Sequence, residues 1–135
     1  MIEINIRNVG VDAGMIMLCD DSYYDKFDKN IDHNNSKEIG VEPGVYDIEW
    51  SIKETWTGPI SGKGIVNAPT GKIIVSDPCY CAQDWDMWLD ETDFGNSCGF
   101  GVILIDEMGG DGDYNINLKM EKKQKEDNNE KRESD

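Results

Sequence analysis

The side chains best suited to chemistry are concentrated in the segment "SDPCYC" (76–81), which holds Asp77, Cys79, Tyr80 and Cys81. Carboxylate, thiol and phenol groups this close together are typical of nucleophilic or acid–base sites. The chain has a single histidine, His33, which lies in the polar stretch "NIDHNNS" with no serine–histidine or cysteine–histidine arrangement around it. One histidine leaves little general-base chemistry at neutral pH. We therefore expect no enzymatic activity. Asp77, and Asp20 in the similar segment "MLCDD" (17–21), are interpreted as turn-capping residues.

The cysteines do not have the spacing of a metal site. The chain contains Cys19, Cys79, Cys81 and Cys98. A Cys-x-Cys pair is too short for the Cys-x-x-Cys knuckle that structural zinc prefers, and no second pair follows it. In an extended segment, the side chains of residues 79 and 81 point to opposite faces. We expect reduced, mostly buried thiols and no zinc.

Oxygen ligands are more plentiful than sulfur ligands. The segment "DEMGGDGDYN" (106–115) places carboxylates around a glycine-rich turn, and its candidate ligands are Asp106, Asp111 and Asp113. Calcium accepts such an oxygen-rich composition. The segment is not an EF-hand loop, because the closing glutamate is absent and no helices flank it. Weak Ca²⁺ binding is therefore one hypothesis, and aspartates that only cap turns are the other.

Acidic charge dominates the composition. The formal net charge is −15 and the isoelectric point is about 4.2. No lysine or arginine occurs from Ile73 through Leu118, a stretch with ten acidic residues. Such a chain is repelled by nucleic-acid backbones and by anionic membranes. The expected partner is a basic protein surface, such as that of a nucleic-acid-binding enzyme or a toxin.

The segment "AQDWDMWLDET" (82–92) is the best helical candidate. Trp85, Trp88 and Leu89 have the i, i+3, i+4 spacing of one helical face. Aromatic anchors among polar groups are typical of protein interfaces. The predicted partner-binding residues are Asp84, Trp85, Asp86, Trp88, Asp90, Glu91 and Asp93. In the alternative interpretation, both tryptophans belong to the core and the acids only face solvent.

Two ordered internal matches indicate a repeat. "GMIMLCDDSYY" (14–24) aligns with "GKIIVSDPCYC" (71–81), and "GVYDIEWSI" (44–52) aligns with "GDYNINLKM" (112–120). The two pseudo-repeats are predicted to cover about 10–54 and 67–120. Residues 1–120 would then form a single domain, and the charged segment 121–135 a disordered tail, since it has no large apolar residue to bury.

The matched segments have the patterns of β-strands. "YDIEWSI" and "YNINLKM" alternate apolar and polar residues, while "MIMLC", "KIIVS" and "GVILID" are short apolar runs suited to strands buried on both faces. Clusters of Gly, Asn, Asp and Pro separate them. The prediction is an all-β (or β-rich α+β) fold, a sandwich or partly open barrel with one or two short helices. Its expected core is Ile16, Leu18, Ile48, Trp50, Ile73, Val75, Val102, Leu104, Ile116 and Leu118.

The segments "VGVDAGMIMLCD", "VEPGVYDIEW" and "PTGKIIVSDPCY", with the later "GDGDY", carry a resemblance to a family. They resemble motifs of an uncharacterised bacterial and phage family of β-rich proteins. The match touches residues 8–120 in patches, and the order of the motifs departs from the family's. The resemblance implies a β-rich intracellular domain and no particular activity.

Three classes of function follow. The first is an acidic binding or inhibitory protein, either of the type with which a phage inhibits a host factor or of the immunity type that neutralises a toxin. The second is a divalent-cation-binding structural or accessory module, and the third is a carboxylate-dependent hydrolase. The N-terminus lacks the features of a signal peptide and no apolar run is long enough for a membrane span, so we expect the cytoplasm of a bacterium or phage-infected host. The long segment without basic residues favours the first class.

Overall fold

The structure, a computed structural model, describes residues 1–25, 29–81 and 101–123. Within these ranges the chain forms eight β-strands and two 3-10 helices. The strands are β1 (Ile2–Val11), β2 (Ile16–Asp20), β3 (Lys37–Gly40), β4 (Gly44–Ile52), β5 (Ile60–Ala68), β6 (Lys72–Ser76), β7 (Ile103–Ile105) and β8 (Gly112–Lys122). The 3-10 helices, Asp21–Tyr24 and Pro78–Tyr80, follow β2 and β6. No helix in the described part of the chain has the length and apolar character to cross a membrane.

The strands form two antiparallel sheets of four strands each. The orders are β1-β8-β4-β5 in the first sheet and β3-β6-β2-β7 in the second. The predicted all-β sandwich is confirmed. The helix expected within 82–92 lies outside the described residues.

The main core lies between the two sheets and follows from strand alternation. Every second residue of β4 and β8 is buried, and β2 and β6 add branched aliphatic side chains. The principal members are Tyr46, Ile48, Trp50, Ile52, Tyr114, Ile116, Leu118, Met120, Ile16, Leu18, Ile73 and Val75. Each large apolar side chain so buried contributes about 1.5–3 kcal/mol. This layer holds the two sheets together.

The second sheet is covered on its other face too. Met17 and Cys19 of β2 and Ile74 of β6 pack there with Tyr24 and Val102 in a separate cluster. Burial on both faces explains why these strands read as uninterrupted apolar runs. The expected core member Leu104 is half-buried and packs against this second cluster, while its neighbours Ile103 and Ile105 fill the main core. Strand β7 thus presents its odd-numbered residues to the main core.

Strand β8 is longer than the sequence pattern indicates. It runs to Lys122, two residues into the segment predicted to be the tail. Tyr46 pairs with Lys122, and the backbone N–H of Lys123 donates to the carbonyl oxygen of Val45 at 2.8 Å. Backbone hydrogen bonding to β4 extends this strand where no apolar side chain does.

Candidate functional site

Asp20 is buried at the end of β2, where it caps the first 3-10 helix. Its Oδ2 accepts hydrogen bonds from the backbone N–H and hydroxyl of Ser22, at 3.0 and 2.7 Å. The hydroxyl and N–H of Thr70 donate to Oδ1 at 2.8 and 3.2 Å. Burial raises the pKa of Asp20, but these hydrogen bonds lower it by more, so the pKa lies below its ordinary value. The group stays ionised and structural.

Asp77 has the matching role at the end of β6. It is buried, and its Oδ1 accepts from the N–H of Cys79 at 3.0 Å, which caps the second 3-10 helix. Its Oδ2 accepts from the N–H groups of Asp12 and Ala13, at 3.0 and 2.7 Å. Both oxygens are therefore occupied by backbone donors. The interpretation of Asp20 and Asp77 as turn-capping residues agrees with these contacts.

The described cysteine thiols are poorly suited to nucleophilic chemistry. Cys19 and Cys81 are buried and Cys79 is half-buried, all as free thiols. Burial raises the pKa of Cys19 and of Cys81. Burial, together with the adjacent Asp77, raises the pKa of Cys79 to about 12. Because the thiolate is the reactive form, a raised pKa keeps these groups in the less reactive thiol form at neutral pH. Cys98 lies outside the described residues.

His33 is exposed in the loop before β3. Its Nδ1 lies 3.9 Å from Oε2 of Glu38, a loose contact at the surface. The position matches a solvated loop residue.

The candidate calcium ligands lie at the surface. Asp106, Asp111 and Asp113 are all exposed. Across residues 1–25, 29–81 and 101–123, no group of three or more His, Cys, Asp or Glu side chains is arranged to hold a metal ion. The described geometry therefore gives the calcium hypothesis no support.

The predicted partner-binding surface lies outside the described residues. This applies to each of its members, Asp84, Trp85, Asp86, Trp88, Asp90, Glu91 and Asp93. Their interpretation stays a prediction from the sequence.

A different tryptophan is presented to solvent in the described structure. Trp56, in the connection between β4 and β5, is 74% exposed. Its backbone N–H donates to the carbonyl oxygen of Met108 at 3.0 Å, and its indole Nε1–H donates to the carbonyl oxygen of Asp111 at 3.1 Å. The hydroxyl of the next residue, Thr57, donates to the carbonyl oxygen of Glu107 at 3.0 Å. The ring is therefore held in one orientation although most of it is in water.

The segment that supports Trp56 is itself anchored to the sandwich. Met108 is fully buried in the main core. The hydroxyl of Tyr114 donates to the carbonyl oxygen of Gly110 at 2.5 Å. A Cβ atom at Gly110 would lie 2.9 Å from the indole ring of Trp56, so the ring approaches this backbone closely. Glycine at this position allows the two loops to pack.

The surroundings of Trp56 are acidic. The two loops and the start of β8 carry Glu54, Asp106, Glu107, Asp111 and Asp113, all exposed, and one base, Lys53. Among the described residues, none of these five carboxylates forms an ion pair. We call Trp56 with these five acidic residues the Trp56 surface. It combines an apolar centre with uncompensated negative charge.

Sequence patterns alone do not single out Trp56. One signal was present: "ETWTGP" places a tryptophan among turn-forming residues, just after the alternation of β4 ends. Its orientation, however, depends on contacts of residues 56 and 57 with residues 107–111, about fifty positions away in the chain. No local pattern contains that contact.

Comparisons with protein-family models, with curated proteins and with solved structures find no significant match to this chain. The resemblance to a bacterial and phage family stays an expectation from short motifs. Functional inference therefore rests on the site itself.

Proposed function

We propose that this protein is an acidic binding or inhibitory protein whose anionic, aromatic surface contacts a basic protein. The observation that carries the proposal is the 74% exposure of Trp56 in a fixed orientation. An exposed tryptophan that is already ordered loses little conformational entropy on binding, and tryptophan is among the residues most enriched at interface hot spots. Trp56 is therefore suited to be an anchor residue for a partner.

The charge around Trp56 indicates the chemistry of that partner. The five acidic residues outnumber the basic residues near them, which are Lys53 and the Arg7 and Lys119 that line a cavity with Glu54 and Asp113, so the surface is net negative. Lysine or arginine side chains of a partner would be attracted to it, which speeds association at low salt. A cation over the indole face would gain a further 0.5–2 kcal/mol or so. The fit is to an arginine- or lysine-rich surface.

No feature of the described residues favours a cation-binding module or a carboxylate-dependent hydrolase. The best-placed carboxylates, Asp20 and Asp77, are already occupied by backbone and hydroxyl donors.

The test uses an arginine-rich peptide as the probe and a glutamate-rich peptide as the control of opposite charge. Trp56→Ala should weaken binding of the arginine-rich peptide about tenfold or more, which corresponds to about 1.4 kcal/mol or more. The triple variant Glu54→Gln, Glu107→Gln, Asp111→Asn should also weaken it and reduce its salt dependence. Calorimetric titration at low and moderate salt measures both effects.

A matched triple variant, Asp47→Asn, Glu49→Gln, Glu121→Gln, removes the same charge from exposed positions on the outer face of the first sheet. It should bind the probe nearly as wild type does. Equal weakening by both triple variants, with no effect of Trp56→Ala, would mean that net charge alone attracts the peptide. Equal binding of the arginine-rich and glutamate-rich peptides would overturn the proposed function.

A further inference from the structure

Every strand pairing in the described structure joins one half of the chain to the other. We define the first half as β1–β4 (residues 2–52) and the second half as β5–β8 (residues 60–122). The six pairings are β1 with β8, β8 with β4, β4 with β5, β3 with β6, β6 with β2, and β2 with β7. Among the described residues, no strand pairs with another strand of its own half. Each sheet is therefore an alternation of strands from the two halves.

The interleaving has the symmetry of a dimer. The repeat that aligns Gly14 with Gly71 also aligns Leu18 with Val75, and these two residues are direct partners in the pairing of β2 with β6. The alignment of β4 with β8 likewise matches Trp50 with Leu118, which also pair directly. Residues that are equivalent in sequence thus face each other at the centre of both sheets. This is the contact pattern of an isologous two-fold interface, formed here within one chain.

Side chains at the strand ends cross between the halves in the same reciprocal way. Asp20 of the first half accepts the N–H and hydroxyl of Thr70 from the second half. Asp77 of the second half accepts the N–H of Ala13 from the first half, and Ala13 is the residue that aligns with Thr70. Each half therefore holds the turn that leads into the central strand of the other.

We propose that the two halves are obligate partners, each the binding partner of the other, and that residues 53–59 are a tether that the assembled fold does not need. A half on its own keeps no pairing between its described strands, and only the isolated bridge between Val66 and Gly101 remains within the second half. Most of its strand N–H and carbonyl groups would lack partners, and its side of the shared core would be exposed. A half folds only against its complement, whether that complement is in the same chain or in a second copy. This inference rests on strand pairing and not on the Trp56 surface, although the tether carries Trp56 and Glu54 of that surface.

Among the connections between described strands, 53–59 is the one at which a cut separates the paired strands completely into two pieces. A cut there leaves all six pairings between the two pieces. A cut at any other connection between described strands leaves at least one pairing within one piece; cutting after β3, for example, keeps β4 with β5 and with β8. The two pieces from a cut at 53–59 should therefore be stable together and unfolded apart.

The experiment inserts a protease site between Gly58 and Pro59 of the full chain and compares the uncut with the cut protein. The cut protein should keep its circular dichroism spectrum and elute as one particle containing both pieces. It should unfold in one thermal transition. Across a range of protein concentration of about two orders of magnitude, the midpoint temperature should rise with concentration, since unfolding now releases two chains. The uncut protein should have a midpoint that does not depend on concentration.

A cut protein whose midpoint is independent of concentration would overturn the proposal, because one piece would then be folding alone. So would hydrogen exchange that shows one piece protected after the other has dissociated. A second variant carries the protease site between Glu54 and Thr55. It distinguishes a disturbance caused by the inserted site at one position from the effect of cutting the tether itself. Loss of the fold in both cut proteins at every concentration would show that the tether is required.

Discussion

The two buried aspartates show how a reactive residue type becomes a structural one. Asp20 and Asp77 each follow a buried strand and receive hydrogen bonds on both oxygens. A carboxylate with hydrogen bonds to both oxygens stabilises the fold more than a neutral acceptor does. Hydrogen bonds to charged groups contribute about 1.5–3 kcal/mol each to the free energy of unfolding, before the cost of burial. Their chemistry is used for turns.

Asp20 should make stability depend on pH. Its folded-state pKa lies below the unfolded value, so its contribution is present above the unfolded pKa of about 3.9 and is lost as the pH falls through the folded pKa. Asp20→Asn should lower the free energy of unfolding by about 1–3 kcal/mol near neutral pH. The difference from wild type should shrink below about pH 4. Urea unfolding across this range measures it.

The control for this experiment is Asp47→Asn at an exposed position of β4. It should change the free energy of unfolding by less than about 0.5 kcal/mol at each pH. A constant difference between wild type and Asp20→Asn down to about pH 2 would contradict the assigned role of the carboxylate.

At the scale of elements, the turns that lead into β2 and β6 contain equivalent glycines in different surroundings. Gly14 and Gly71 both have left-handed backbone conformations, with φ of 81° and 76°. A Cβ atom at Gly14 would meet nothing within 4 Å, whereas at Gly71 it would overlap the carbonyl oxygen of Val41. The N–H of Val41 also donates to the carbonyl oxygen of Gly71 at 2.8 Å. The second turn is packed and the first is open.

The paired variants Gly14→Ala and Gly71→Ala separate conformational strain from packing. Gly14→Ala should cost about 1–2 kcal/mol, since only the left-handed conformation is penalised. Gly71→Ala should cost a further 1–3 kcal/mol or so, because the backbone of Val41 must move. Thermal and urea unfolding of both variants give the comparison. Equal destabilisation would mean that the turn at Gly71 has room that the structure does not show.

At the scale of the whole molecule, charge works against compactness. A net charge of −15 on 135 residues repels itself in the folded state. The described ion pairs, such as Lys29 with Asp21 and Lys122 with Glu42, offset little of it, because they lie at the surface. The assembled fold is therefore stabilised mainly by its shared core.

Salt should raise the melting temperature of this protein. Between about 0.01 and 0.3 M sodium chloride the Debye length falls from about 30 Å to below 8 Å, which screens the repulsion. Magnesium and calcium chloride at the same ionic strength should act alike. Extra stabilisation by calcium over magnesium would instead support a calcium site at Asp111 and Asp113. A melting temperature that falls with added salt would contradict the importance of repulsion.

The sequence by itself determined the class of fold. Alternation in β4 and β8 and continuous apolar runs in β2 and β6 predict a β-rich sandwich or partly open barrel with some strands buried on both faces, because a strand's side chains alternate with a period of two. The turn glycines and the turn-capping interpretation of Asp20 and Asp77 were also readable, since each depends on residues close in the chain. Local physics sufficed for these features.

Only the tertiary structure decided how the two halves interleave and which of the two described tryptophans, Trp50 and Trp56, faces solvent. Trp50 and Trp56 are six positions apart, yet Trp50 is in the core and Trp56 is 74% exposed, with hydrogen bonds to the carbonyl oxygens of residues 108 and 111. The alignment of Leu18 with Val75 was visible in the sequence, but their direct pairing was not. Strand partners are chosen by long-range packing and backbone hydrogen bonding, which no local pattern encodes.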